Sequence, residues 1–127
     1  MAEILIKKDY TIYIVDPDQV HSQTVSSLLG RLGYKTELFS SAEELLDELN
    51  EHELDGCIVS EMRLPGISGL ELLRSLRNQK MNVPVIILTA DSDVSGAVAA
   101  LRDKASDYLV KPFVERDLVS RVRAALG

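Results

Sequence analysis

The strongest constraint on the fold is an alternation of short apolar runs with longer amphipathic stretches, repeated five times along the chain. The short runs are rich in β-branched residues, which is typical of strands, and the stretches between them place apolar residues at helical spacing. The predicted strands are Thr11–Val15, Tyr34–Phe39, Gly56–Ser60, Val83–Thr89 and Asp107–Val110. Strands that alternate with helices pair in parallel through right-handed crossovers. Because five units are too few for an eight-stranded barrel, we predict an α/β fold with an open, doubly wound, five-stranded parallel sheet in the order 2-1-3-4-5.

Local capping signals predict where the first three helices begin. Asp18 precedes the first helix, and its carboxylate suits an N-cap. Ser41 with Glu44, and Ser68 with Glu71, are capping boxes at the second and third helices.

Composition excludes several classes of function. Acidic residues outnumber basic ones by 20 to 14, and the net charge of −6 disfavours binding to nucleic acids and to anionic membranes. Cys57 is the only cysteine, so an intrachain disulfide and a structural zinc site are excluded, and a reducing cytoplasm fits. Because its neighbours are apolar, we predict that Cys57 is a core thiol.

The chain is expected to form one domain with a short extension. Residues 1–10 have no place in the five strand–helix units, and we interpret them as an N-terminal extension that is either frayed or an extra strand. Residues 11–127 make a single domain of ordinary size.

Polar side chains follow four of the predicted strands. Asp16 and Asp18 follow the first strand, Glu61 the third, Thr89 ends the fourth and Lys111 follows the fifth. In a doubly wound sheet the ligand site lies beyond the carboxyl ends of the strands, so these groups should converge. Carboxylate oxygens suit Mg²⁺, and an ammonium beside a hydroxyl suits a phosphoryl group.

Four short motifs lie at these strand ends. They are IVD at Ile14–Asp16, RLPGISG at Arg63–Gly69, LTA at Leu88–Ala90 and VKPF at Val110–Phe113. With these motifs the chain, from Thr11 nearly to its end, resembles the receiver domain of response regulators in two-component signalling. It is most similar to the LuxR/FixJ-type receivers that are attached to DNA-binding domains. The resemblance implies a flavodoxin-like (βα)5 fold and a role in phosphorelay signal transduction.

The resemblance also implies roles for individual residues. Members of the family accept a phosphoryl group from a histidine kinase on an aspartate after the third strand, beside an acid pair that holds Mg²⁺. Asp16 matches the first acid of that pair, and Thr89 and Lys111 match the residues that bind the phosphoryl oxygens. Tyr108 matches the aromatic switch position, although we favour a half-buried strand aromatic over an operating switch.

Two positions depart from the family pattern. Pro17 stands in place of the second acid, and Glu61 stands in place of the phosphoacceptor aspartate. Displacing a nucleophile by about 1 Å can cost roughly 100-fold in rate. The longer side chain of Glu61 is predicted to meet Lys111 and the Thr89 hydroxyl, which would imitate part of the phosphorylated state. The other interpretation is that Glu61 is an inert replacement for the aspartate and does not imitate the phosphorylated state.

The remaining ligands predict a poor metal site. Asp16, Asp18, Glu61 and the backbone carbonyl of Arg63 are left to hold Mg²⁺, so we expect a weakly bound ion or none. His21 has no partner at metal-ligand spacing, and we predict that it, like His52, is a surface residue.

These observations predict an atypical receiver, a pseudo-receiver, that is not an enzyme and acts through protein contacts largely independently of phosphorylation. Its expected partners are a histidine kinase or an output domain. The expected surface comprises the fourth helix, the fifth strand and the fifth helix (residues 91–126), through which a homodimer could also form. One alternative is an ordinary receiver that regulates a separate or missing DNA-binding output. A flavodoxin-like cofactor binder is a minor alternative, because Asp16–Gln19 (DPDQ) lacks the glycines or hydroxyls of a phosphate loop.

Overall fold

Five parallel strands form one sheet in the order β2-β1-β3-β4-β5, as predicted. The computed structural model describes residues 10–49, 54–90 and 94–127. The elements along the chain are β1 (Thr11–Val15), α1 (Gln19–Arg31), β2 (Lys35–Phe39), α2 (Ala42–Leu49), β3 (Gly56–Glu61), α3 (Gly69–Asn78), β4 (Val85–Thr89), α4 (Val94–Arg102), β5 (Asp107–Val110) and α5 (Glu115–Leu126). The predicted N-terminal extension and His52 lie outside the described residues, apart from Tyr10. In the described part of the chain, no helix combines the length and the apolar character that a membrane span requires.

The two faces of the sheet are covered by separate layers of helices. Ile12 and Ile14 of β1 pack in a core with residues of α1 and α5, and Tyr13 and Val15 pack in a core with residues of α2 and α3. This follows from the period of two along a strand, which sends successive side chains to opposite faces. Burying each large aliphatic side chain contributes about 1.5–3 kcal/mol. Cys57 is fully buried in the α1–α5 core, which confirms the predicted core thiol.

Most predicted helix starts are confirmed in atomic detail. The Asp18 carboxylate accepts the backbone N–H groups of Val20 and His21, at 3.0 and 3.2 Å, and so caps α1. Ser68 and Glu71 form a complete capping box at α3. At α2 the predicted box is present in part: the Ser41 hydroxyl accepts the backbone N–H of Glu44 at 3.2 Å, whereas the Glu44 carboxylate accepts from the backbone N–H and the hydroxyl of Ser40.

Strand boundaries shift by one or two residues from the prediction. β4 begins at Val85 instead of Val83, since Pro84 has no N–H to donate to a ladder, although its carbonyl accepts from Ile58 at 2.9 Å. β3 continues through Glu61, which pairs in register with Leu88 of β4. Glu61 is therefore held by the sheet itself, whereas the sequence predicted it in the following loop.

Candidate functional site

The register of the sheet brings the ends of four strands to one edge. Asp16 follows β1, Glu61 ends β3, Thr89 ends β4 and Lys111 follows β5. The backbone N–H of Lys111 donates to the Thr89 carbonyl at 2.8 Å, which extends the ladder between β4 and β5 past the strand itself. The predicted convergence of these residues beyond the carboxyl ends is present.

Asp16 is a buried carboxylate held by its own loop and helix. Its side chain is 5% exposed. One oxygen, Oδ1, accepts the backbone N–H of Asp18 at 2.8 Å, and the other, Oδ2, lies 2.5 Å from Nδ1 of His21. Both oxygens therefore have polar partners within five residues of Asp16, and these partners fix the orientation of the carboxylate. The carboxylate lies at the edge of the cleft, by which we mean the space beyond the carboxyl ends of the strands.

Glu61 and Lys111 form the predicted ion pair. The Lys111 ammonium donates to Oε1 of Glu61, and the two side chains are 34% and 12% exposed respectively. Burial raises the pKa of the Glu61 carboxyl, even though the hydrogen bond and the charge of Lys111 act to lower it. Among the described residues, no group hydrogen-bonds to the buried Oε2 of Glu61.

Thr89 and Tyr108 are in the predicted places but make different contacts from those expected of a trigger. The Thr89 hydroxyl donates to the carbonyl of Ala90 at 3.2 Å. Because a hydroxyl has a single proton, it does not donate to Glu61, although that contact was predicted. Tyr108 is half-buried and packs against the core on the α2–α3 face, as expected of a strand aromatic. The peptide bond between Lys111 and Pro112 is cis.

Of the four predicted metal ligands, two lie together. Within the described ranges, the group of side chains with metal-ligating geometry comprises Asp16, Glu61 and His21, whose ligand atoms all lie within 4.8 Å of one another. The Asp18 side chain faces the N-terminus of α1, where it serves as the cap. Arg63 lies in the exposed loop after β3, and only its backbone carbonyl was predicted to be a metal ligand.

The interpretation of His21 as a surface residue was wrong. Its side chain is 31% exposed, and Nδ1 contacts Asp16 and lies 3.8 Å from Oε2 of Glu61. Asp18 is the N-cap, so His21 occupies the third helical position, whose side chain reaches back toward the preceding loop as in a capping box. A sequence signal for the position of His21 was available: Asp16 lies two residues before the N-cap Asp18, and His21 lies three residues after it.

The donor set of this group fits Mg²⁺ poorly. Mg²⁺ prefers oxygen ligands in octahedral geometry, and it retains several waters. The three side chains offer two carboxylates and one imidazole, and the other nearby carboxylate is used as a helix cap. Imidazole is a ligand of zinc and other transition ions.

Comparison with known proteins agrees with the fold. Residues 12–123 match the family model described as response regulator receiver domain. The response regulator protein TodT of Pseudomonas putida is 36% identical over 115 residues, which cover 91% of this chain and 50% of TodT. The transcriptional regulatory protein FixJ of Bradyrhizobium diazoefficiens is also 36% identical over 115 residues, which cover 91% of this chain and 56% of FixJ.

Solved structures show the same relationship. The crystal structure of FixJ-N superposes with a TM-score of 0.87 at 32% identity, covering 94% of this chain and 95% of that one. A receiver domain protein from Clostridium thermocellum superposes with a TM-score of 0.87 at 28% identity, covering 92% of this chain and 94% of that one. The chain belongs to the receiver domain family of two-component response regulators. It spans about half the length of the curated relatives it matches.

Proposed function

We propose that this receiver is a pseudo-receiver, which transmits a signal through protein contacts largely independently of phosphorylation. The observation that carries the proposal is the contact of the Lys111 ammonium with the Glu61 carboxylate. By the family resemblance, these are the phosphoryl-binding lysine and the phosphoacceptor position. The carboxylate therefore lies where a phosphoryl group would be bound, and supplies one negative charge in place of nearly two.

The chemistry of phosphoryl transfer supports this proposal. Transfer depends on the position of the nucleophile and on stabilisation of charge, and the side chain of Glu61 is one methylene longer than that of the family aspartate. Receiver domains typically bind Mg²⁺ at the phosphorylation site, where this chain has Pro17 in place of the second acid. We therefore expect weak binding of Mg²⁺ or none, with Asp16 and Glu61 as its remaining carboxylate ligands.

The proposed partners are proteins, a histidine kinase or an output domain, and the proposed location is the cytoplasm. Receiver domains are signalling modules, and we propose no catalytic activity for this chain. The surface formed by α4, β5 and α5 exposes Val98 and Leu101 of α4 and carries an ion pair of Arg121 with Asp107, whose Nε and Oδ2 are 2.8 Å apart. A second copy of the chain on this surface is the alternative occupant.

A phosphodonor experiment separates the pseudo-receiver from an ordinary receiver. The chain is incubated with acetyl phosphate and Mg²⁺ and examined by intact-mass spectrometry, beside a phosphorylatable receiver treated in the same way. We expect the control to gain a phosphoryl group and this chain to gain almost none. Stoichiometric addition of one phosphoryl group would overturn the proposal in favour of the ordinary receiver.

The geometry gives no support to a cofactor binder. A phosphate-binding helix N-terminus needs free backbone N–H donors. At α1 the carboxylate of Asp18 accepts the N–H groups of Val20 and His21, and Asp16 accepts that of Asp18. A phosphate would meet two carboxylates there instead of open donors.

A further inference from the structure

His21 adds a nitrogen donor to the carboxylates of the cleft. Nδ1 of His21 lies 2.5 Å from Oδ2 of Asp16 and 3.8 Å from Oε2 of Glu61. The three side chains come from α1, from the loop after β1 and from the end of β3, so the sheet and the helix together hold them. The cleft therefore holds one imidazole and two carboxylates whose ligand atoms all lie within 4.8 Å of one another.

One of these donor atoms has an unused lone pair in a buried position. Oε1 of Glu61 accepts from Lys111, while Oε2 is buried and has no hydrogen-bond partner among the described residues. Leaving a buried acceptor without a partner is costly, and a cation placed between Oε2 and His21 would satisfy it. The side chain of His21 is 31% exposed, and with Lys111 it lines a cavity that opens to solvent.

We propose that Asp16, His21 and Glu61 form a binding site for a divalent transition-metal ion, of which Zn²⁺ is the representative. Oδ2, Nδ1 and Oε2 are its ligands, and solvent completes the coordination. Ligand atoms about 2.0–2.2 Å from a tetrahedral Zn²⁺ are about 3.3 Å apart. The separations of 2.5 and 3.8 Å that Nδ1 makes with the two oxygens lie on either side of that value. A shift of His21 by less than about 1 Å brings both separations into the range of a zinc site.

The imidazole determines which ion the site takes. A site of carboxylates alone suits Mg²⁺, whereas a nitrogen ligand favours zinc and its neighbours. Asp16 and Glu61 supply two negative charges, which face the two positive charges of the ion and the one of Lys111, whose ammonium remains on Oε1. The proposal concerns the ligand set, and it holds whether or not Glu61 accepts a phosphoryl group.

The test uses tag-free protein freed of metal by a chelator. Zn²⁺ and Mg²⁺ are titrated separately by calorimetry, and the intensity of the visible absorption of Co²⁺ reports whether the bound ion is four-coordinate. We expect one Zn²⁺ per chain, bound at least tenfold more tightly than Mg²⁺. His21→Ala should weaken Zn²⁺ at least tenfold and leave Mg²⁺ binding unchanged, whereas His52→Ala, at the other histidine of the chain, should change neither.

His21→Gln keeps a hydrogen-bond donor for Asp16 but removes the imidazole, and it serves as the test if His21→Ala fails to fold. Zinc affinity that is unchanged in the folded His21 variant, or lost equally in His52→Ala, would overturn the site. So would Zn²⁺ binding no tighter than Mg²⁺ binding. None of these outcomes bears on the phosphodonor experiment, which tests the pseudo-receiver proposal separately.

Discussion

The ammonium of Lys111 reaches across the end of β4 to the carboxylate of Glu61, and so joins the carboxyl ends of β3 and β5. The pair is mostly buried at its acidic end, where the side chain of Glu61 is 12% exposed. Desolvation of the carboxylate raises the pKa of Glu61 and so opposes the attraction of the ammonium, which lowers it. The contact therefore orients the cleft more than it stabilises the fold.

Replacing Glu61 with Gln should change the free energy of unfolding by no more than about 1 kcal/mol at neutral pH. The pair is lost, but so is the cost of a desolvated charge. Urea unfolding measures the effect, with Glu37→Gln on the exposed face of β2 as the matched control. A loss of several kcal/mol would show that the pair is a principal stabilising contact.

The raised pKa of Glu61 predicts how the stability of the fold depends on pH, and the same variant tests the sign of that dependence. Because the pKa of Glu61 is raised above 4.5 in the folded chain, the folded state holds its proton more tightly than the unfolded state. The stabilising contribution of protonated Glu61 is complete below pH 4.5 and is lost as the pH rises through the raised value. The free energy of unfolding of the wild type, relative to that of Glu61→Gln, should therefore fall as the pH rises from 4.5. A rise in this difference would contradict a raised pKa for Glu61 in the folded chain.

Cys57 should be unreactive until the chain unfolds. Burial raises the pKa of its thiol to about 12, so only about one thiol in ten thousand is ionised at pH 8. Ellman's reagent at pH 8 should label almost none of the native protein and one thiol per chain in urea. Rapid labelling without denaturant would show that the α1–α5 core opens locally.

Asp18 should behave as a helix cap and not as a metal ligand. Asp18→Ala should destabilise the chain by about 0.5–2 kcal/mol, because two backbone N–H groups at α1 lose their acceptor. Asp18→Asn should restore most of that loss, since asparagine caps equally well. Asp47→Ala, at an exposed position of α2, is the control and should change stability by less than about 0.5 kcal/mol. Weaker metal binding by the asparagine variant would instead place Asp18 among the ligands.

Restoring the family residues should restore phosphorylation only when both are changed. Glu61→Asp shortens the nucleophile to the family length, but Pro17 still leaves the acid pair incomplete. We expect acetyl phosphate and Mg²⁺ to load the double variant Pro17→Asp/Glu61→Asp and to load the single variants poorly, as measured by intact mass. Full loading of Glu61→Asp alone would show that Pro17 is no obstacle.

The positions of the strands and the starts of most helices follow from information close together in the chain. Apolar periodicity, the N-cap at Asp18 and the capping box of Ser68 with Glu71 each depend on residues within a few positions, and all three agree with the structure. The pairing of Glu61 with Lys111 was also predictable, because the parallel strands of one sheet carry their carboxyl ends to the same edge and only β4 separates β3 from β5.

The direction of each side chain within the cleft was decided only by the tertiary structure. Asp18 turns to its own helix, and the Thr89 hydroxyl turns to Ala90, although both were expected to face the site. His21 enters the cleft because the cap at Asp18 makes it the third residue of α1, whose side chain reaches back toward the preceding loop. Such directions depend on competing hydrogen bonds and on the relative placement of several strand ends. Apolar periodicity along the chain predicts which face of a helix or strand is buried. It does not predict which hydrogen-bond partner a polar side chain on that element will have, because that choice depends on residues distant in the chain.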